Sequence, residues 1–408
     1  MREVVIAAAV RTPIGKYGGA LRHVRPDDMS ALVLREIARR ADVDPADVED
    51  VIWGCSNQGG EDNRNVARMA VLAADFPESV AGATVNRLCG SGLQAINSAA
   101  HAIACDCGDI FIAGGVESMT RAPYVMPKPE SEFARAPQLF DTTLGARMYN
   151  PHLTERGYPP LAMGETAENV AQQYRISRRE QDEFAYASQH KTGDAQKAGA
   201  FELETLGVPV PLNGKSAPKA EKTELICKDE HPRPDVTMEQ LSKLRPAFRE
   251  GGTVTAGNSS GINDGAAAVL LMTSEEAKRR GIAPLASILT SAVAGVDPNC
   301  MGLGPIPATQ KALLRAGLRI DDIDLIELNE AFAAQSLACI RELEIPVERV
   351  NVNGGAIALG HPLGCSGARI MVTLLHAMRA RGAKRGLATM CIGVGQGIAT
   401  IVERTDNN

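Results

Sequence analysis

An internal repeat limits this chain's possible folds more than any other feature. Asp47-Val48-Glu49-Asp50-Val51-Ile52 is matched by Asp322-Ile323-Asp324-Leu325-Ile326-Glu327, Ser91-Gly92 by Ser366-Gly367, and Ile112-Ala113 by Leu387-Ala388. Every match has one offset, 275 residues (47 to 322, 91 to 366, 113 to 388), and sits in a similar strand or helix setting. This predicts two similar halves. If they pack back to back, both helix-start turns converge on one central site.

Within the first half, strand-like and helix-like stretches alternate. Val4 to Val10 is wholly apolar, as in a strand buried on both faces. Asp28 to Arg40 is amphipathic, with Ala31, Leu34, Ile37 and Ala38 on one side. Val51-Ile52-Trp53-Gly54 is a second strand, Asn65 to Ala74 a helix, and Ile110 to Gly115 a third, buried strand. Such alternation implies an α/β layered architecture. From Arg121 to about Gly261 the chain is richer in proline and charge. It still holds helical stretches at Thr166 to Tyr174 and at Ser177 to Ala198, the latter opening with a possible Ser177…Glu180 capping box. Alternation resumes with the strand Ala266 to Met272. The expected division is therefore 1–120 plus 262–284 as one half, 121–261 as an inserted lid, and 285–408 as the other half.

Composition removes several classes of function. A net charge of −6 argues against a nucleic-acid-binding surface, so an anionic ligand must meet local basic groups and backbone N–H. Nine cysteines without framework spacing suggest reduced thiols in a cytoplasm-like compartment. Cys105-Asp106-Cys107 lacks a second ligand pair nearby, so no metal site is expected. Neither a signal peptide nor an apolar run of membrane-spanning length is evident.

Chemistry concentrates in four stretches. In Val85-Asn86-Arg87-Leu88-Cys89-Gly90-Ser91-Gly92-Leu93-Gln94-Ala95 a strand end meets a helix start, with Leu93, Ile96, Ala100 and Ile103 at helical spacing. A thiolate at Cys89 would face the positive end of the helix, which lowers its pKa. Most cysteines are small buried hydrophobes, and both readings stand at this point. Glu327-Leu328-Asn329-Glu330-Ala331-Phe332-Ala333 puts polar residues where a strand gives way to a helix. Asn353 to Gly367 is glycine-dense with one histidine, His361, and Met390-Cys391-Ile392-Gly393-Val394-Gly395-Gln396-Gly397 follows a buried strand. Glycines at this density let backbone N–H groups approach a reacting atom. Structural alternatives exist for each: a loop histidine, a core thiol, ordinary turns. The last string lacks the spacing and the βαβ context of a dinucleotide site, and no Walker-type Gly-Lys-Ser/Thr occurs.

Taken together, these strings resemble the thiolase family. Val85 to Gly92 looks like its nucleophile motif, and Asn329-Glu330-Ala331-Phe332-Ala333, Gly360-His361-Pro362 and Cys391-x-Gly393-x-Gly395 look like its other signatures. Val254 to Gly261 extends the resemblance, and Gly90, commonly alanine in the family, departs from it. The resemblance implies a duplicated α/β/α/β/α layered fold with an inserted lid. It implies transfer of an acyl group between a 3-oxoacyl-CoA and coenzyme A through a covalent acyl-enzyme. Cys89 would be the nucleophile, His361 its base, and Cys391 the second acid/base, a thiol whose ordinary pKa of about 8.5 needs only a modest shift. One oxyanion hole would use His361 and a water held by Asn329; the other, the backbone N–H groups of Cys89 and Gly393.

Coenzyme A would be a co-substrate, with no permanently bound cofactor. By the same resemblance Ser260, Arg233, Phe248, Ala256 and Phe332 hold it, and Met163 and Met301 wall the acyl pocket. Biosynthetic acetoacetyl-CoA thiolases commonly have His-Met-Gly where this chain has Ala162-Met163-Gly164. Gly60 to Ala70 and Asp141-Thr142-Thr143-Leu144-Gly145 look like thiolases of the 3-oxoadipyl-CoA branch. Arg64, Arg68 and Arg147 are candidates for its terminal carboxylate, or equally surface charges. A decarboxylating 3-oxoacyl synthase would pair its cysteine with a different histidine set, and a non-catalytic acyl-CoA carrier would not need Cys89, His361 and Cys391 together. Family members are dimers or tetramers, so a cytoplasmic homodimer or homotetramer acting on small CoA esters, without nucleic acid or membrane, is expected.

Overall fold

The computed structural model describes residues 2–129, 131–133, 135–211 and 223–405. Residue 1 of the N-terminal half, residues 130, 134 and 212–222 of the expected insertion, and 406–408 of the C-terminal half lie outside the described residues. In the first half the order is β1 (Val4–Arg11), α1 (Pro26–Ala41), β2 (Asp50–Gly54), α2 (Val66–Ala73), β3 (Ala81–Val85), α3 (Ser91–Ala104) and β4 (Ile110–Ser118). Helices α4 (Met163–Gln173) and α5 (Arg178–Lys197) follow before β5 (Asn263–Thr273) returns to the sheet. The second half comprises β6 (Ala286–Gly295), α6 (Pro305–Ala316), β7 (Leu325–Leu328), α7 (Ala333–Glu342), α8 (Leu363–Arg381), β8 (Arg385–Ile392) and β9 (Gln396–Glu403).

Strand order is β7-β8-β9-β6-β1-β5-β4-β2-β3. Outward from the middle, β1-β5-β4-β2 is repeated as β6-β9-β8-β7. Direction repeats too: each half has two antiparallel pairings followed by a parallel one. The β2–β3 pair shrinks in the second half to a single bridge, Ile326 to Val350. Among the described residues, two pairs, Val5 with Ser287 and Ile6 with Ala286, join the halves through their strands.

Burial follows from the apolar runs. Strands β4 and β5 are buried along their whole length, which requires helices on both faces. One core lies between α1, α2 and the first set of strands, and another between α6, α7 and the second set. Between them α3 and α8 contribute Leu93, Ile96, Ala368 and Met371 to a central core shared by strands of both halves. This gives five layers, helix–sheet–helix–sheet–helix.

The two inner helices meet where the repeat predicts. A β-carbon on Gly92 would lie 2.7 Å from the Ala368 nitrogen, and one on Gly367 would lie 2.3 Å from the Leu93 nitrogen. Gly92 and Gly367 are 275 residues apart, so the same position in each copy is bare where the copies touch. One detail differs from the sequence expectation. Ser91 opens α3, but α8 begins at Leu363, a turn before Ser366, because Pro362 occupies its N-cap.

The segment between β4 and β5 is anchored by a buried ion pair network. Arg11, at the end of β1, gives Nε to Glu204 at 2.5 Å and Nη1 to Asp229 at 2.7 Å. Helix α5 has the expected capping box, Ser177 with Glu180. Helix α4 starts at Met163 rather than Thr166, since the Thr166 hydroxyl donates back to the Met163 carbonyl at 2.7 Å and so does not cap. Among the described residues no helix is long and apolar enough to cross a membrane.

Candidate active site

A cavity of about 1160 Å³ opens where the two halves and the inserted segment meet. Its wall includes Cys89, His361, Cys391 and Gly393, with Ser260, Arg233, Phe248, Ala256, Phe332, Met163 and Met301. Among the residues singled out from sequence, Asn329 stands just behind this wall, with its amide nitrogen 3.5 Å from His361 Nε2. Arg64, Arg68 and Arg147 do not line it.

Cys89 sits on a clamped turn between β3 and α3. The Leu88 N–H donates to Asn86 Oδ1 at 2.8 Å, and the Ser91 hydroxyl accepts from Arg87 N–H at 2.9 Å while donating to the Leu88 carbonyl at 2.6 Å. Leu88 adopts a left-handed conformation, φ 47°, a local strain that the surrounding bonds hold in place. Arg87 reaches Gln396 Oε1 at 2.8 Å and so fixes the turn to β9 of the other half. A β-carbon at Gly90 would lie 2.6 Å from the end of the Ile392 side chain, which would have to shift to admit alanine there.

Electrostatics at Cys89 correct the expectation of a lowered pKa. Burial is the largest influence and pushes the thiol up to about 11. The N–H of Gly393 and its own N–H pull it down, and the negative charge of Glu117 pushes it up. Desolvation exceeds what a helix start supplies. Cys89 is open to the cavity and surrounded by protein on its other sides, so the free enzyme holds a thiol there.

His361 is held in its neutral form. Burial, with the charge of Arg369 adding to it, lowers its imidazole to about 3, so it is neutral at pH 7. The Ser366 hydroxyl donates to the Pro362 carbonyl at 2.9 Å, which leaves its oxygen to accept Nδ1–H of His361 at 2.6 Å. That assigns the proton to Nδ1 and leaves Nε2 as an acceptor, with the Asn329 amide nitrogen at 3.5 Å. The backbone N–H of His361 donates to Asn263 Oδ1 at 3.0 Å. Gly360 permits this contact: its φ is +107°, and a β-carbon there would collide with the Asn263 side chain at 2.5 Å.

Cys391 ends β8 almost fully buried. Burial holds its thiol well above its ordinary value, and neighbouring Cys89 adds to this. The modest shift expected from sequence is therefore replaced by a large upward one, and the resting group is a proton donor. Asn329 Oδ1 is buried without a hydrogen-bond partner among the described residues.

The segment joining β4 to β5 meets the second half along one seam. Ser260 N–H donates to the Ala331 carbonyl at 3.0 Å, Ala333 N–H to the Asn258 carbonyl at 2.9 Å, and the Phe248 and Phe332 rings meet edge to face at 6.1 Å. Arg233 is exposed, its backbone tied to Gln189 Oε1 at 2.7 Å.

Sequence reasoning missed Glu117. This buried carboxylate on β4 accepts N–H from Ser56 at 2.9 Å, Asn57 at 3.0 Å and Gly364 at 2.7 Å. It caps α8 in place of Pro362, which offers no side-chain bond, and so fixes the loop carrying His361. The cost of burial raises its carboxyl to about 7. Cys55 and Asp62 lie against it, all three potential ligand atoms within 4.8 Å of one another, but the three N–H groups suit an anion rather than a cation. Only a buried-strand acid in Ile110 to Ser118 signalled it beforehand.

Two thiols, an unprotonated imidazole nitrogen and N–H donors around one chamber are groups of the kind that covalent acyl transfer uses. Comparison with known proteins agrees. The family model "Thiolase, N-terminal domain" matches residues 4–275, and "Thiolase, C-terminal domain" matches 282–404. The chain is 54% identical to the 3-oxoadipyl-CoA/3-oxo-5,6-dehydrosuberyl-CoA thiolase of Escherichia coli (strain K12), over 99% of this chain and 100% of that one. It is also 54% identical to a beta-ketoadipyl-CoA thiolase of Pseudomonas aeruginosa, over 99% of each. Among solved structures, the Bacillus anthracis acetyl-CoA acetyltransferase superimposes with a TM-score of 0.92 at 44% identity, covering 99% of both chains. The chain belongs to the thiolase family of acyltransferases.

Proposed function

We propose that this thiolase cleaves a 3-oxoadipyl-CoA-type dicarboxylyl thioester with coenzyme A. The observation that carries this is 54% identity, end to end, with proteins named for that substrate. Cys89 Sγ attacks the 3-oxo carbon as its proton passes to His361 Nε2. The oxygen of the Cys89 adduct is met by the N–H groups of Cys89 and Gly393. The bond between carbons 2 and 3 then breaks, its electrons forming an enolate whose oxygen faces His361 and the water held by Asn329. Cys391 gives its proton to carbon 2, releasing acetyl-CoA. Incoming CoA passes its thiol proton to Cys391 and takes the acyl group, and His361 returns its proton to Cys89.

In this reading 121–261 is the lid over coenzyme A, set between a half made of 1–120 with 262–284 and a half made of 285–408. Ser260, Ala256, Phe248, Phe332 and Arg233 contact the coenzyme, and Met163 and Met301 wall the acyl group. Nine free cysteines favour a reducing, cytoplasmic setting. The exposed edge strand β3 favours assembly into a homodimer or homotetramer. A second reading, acetoacetyl-CoA as substrate, is favoured by the likeness to an acetyl-CoA acetyltransferase structure. Relative thiolysis rates on acetoacetyl-CoA, a neutral medium-chain 3-oxoacyl-CoA and 3-oxoadipyl-CoA decide between them. A preference for 3-oxoadipyl-CoA is expected; equal or better cleavage of the neutral esters defeats the proposal.

A further inference from the structure

We infer that Arg147 receives the terminal carboxylate of the acyl group, an assignment that rests on the dicarboxylyl reading above. Three arginines were eligible from sequence. Arg68 is occupied by the backbone carbonyls of Val80 and Glu78, and Arg64 is exposed. Arg147 does not line the cavity either, but it is half-buried on a loop whose neighbouring residues do.

It closes a small arch. Thr142 is pinned at one foot, its carbonyl and hydroxyl accepting from Asn57 Nδ2 at 3.1 and 2.9 Å and its hydroxyl donating to the Pro123 carbonyl at 2.6 Å. Arg147 stands at the other foot, reaching the Thr142 carbonyl at 3.4 Å and Asn57 Oδ1 at 3.3 Å. Between the feet, Leu144 and Gly145 line the chamber that contains Cys89. The arch is tied to the reacting end: Asn57 N–H donates to Glu117, which also holds Gly364, three residues beyond His361.

The guanidinium is half-buried and bound by two long contacts to neutral oxygens. Among the described residues no carboxylate lies within ion-pair distance of it; Asp141, fully exposed, only feels its charge. A guanidinium has five N–H donors in a fork that fits a carboxylate with two bonds. A partly desolvated cation with unused donors, two residues beyond Gly145, which lines the chamber with Leu144, therefore favours an acyl chain whose terminal carboxylate reaches past them. Arg233, which lines the chamber itself, stands beside Pro232 and Pro234 on the side this reading gives to coenzyme A.

The test compares kcat/KM for 3-oxoadipyl-CoA with that for 3-oxohexanoyl-CoA, a chain of equal length without the acid, in the parent, Arg147→Gln and Arg147→Lys. The parent is expected to favour the dicarboxylyl ester, and Arg147→Gln to lower that ratio roughly 30- to 100-fold. Arg147→Lys is expected to regain part of it through a single-point cation. A ratio unchanged in Arg147→Gln overturns this assignment and leaves the substrate reading standing. Equal losses on both esters also overturn it, as a purely structural role. A parent without preference overturns the substrate reading itself, and this assignment with it.

Discussion

The two halves of the molecule share a sheet order and differ most in one connection. In the second half β8 and β9 are joined by Gly393-Val394-Gly395 alone, whereas the equivalent β4 and β5 are separated by residues 119–262. The short link points a backbone N–H at Cys89, and the long one roofs the chamber with Phe248, Ala256 and Ser260. One half keeps its hairpin tight and presents a donor with it. The other opens the same position into a long segment that supplies part of the chamber wall.

The comparison breaks most visibly at the two thiols, one from each half. Cys89→Ala is expected to abolish acyl-enzyme formation and to lower turnover roughly 10⁴-fold or more, read as a missing mass increment after exposure to acyl-CoA. Cys391→Ala should still acquire that increment yet fail in carbon–carbon bond exchange; full exchange in that variant would mean the second half supplies only scaffold. A smaller effect tests the contact between copies. Gly367→Ala, which drives a methyl against the Leu93 backbone, is expected to cost about 3 kcal/mol, seen as a lowered urea midpoint.

The smallest effect concerns pH. The unfolded chain's imidazole binds a proton near 6.5, but folded His361 does so only near 3. Between those values the unfolded state holds the extra proton, so each unit of acidification removes up to about 1.4 kcal/mol of stability. His361→Gln should flatten that slope, measured as urea midpoints between pH 7 and 5. A slope identical to the parent's would show that burial of this imidazole is not what sets it.

Much of this was legible in the residues. Alternating apolar strands and helices, the common offset and the glycine-rich strings around Cys89, His361 and Cys391 each reflect local backbone needs, which sequence records directly. The proton affinities were not legible. A helix start beside Cys89 argues for a low pKa, but desolvation depends on what the remainder of the chain heaps over it. Glu117 was equally hidden, because its three N–H partners come from segments 60 or more residues away. The start of α8 falls a turn ahead of Ser366 for the opposite reason: Pro362 fixes the local dihedral there whatever the repeat suggests.

Where α3 crosses α8, neither helix has a side chain to trim or enlarge, so backbone rests on backbone at Gly92 and Gly367. Drift in the surrounding sequence cannot reset the angle of that joint by degrees. New substrate ranges in proteins built this way must then arise in the coverings and arches above it, which leaves the chemistry inherited intact while the clientele changes.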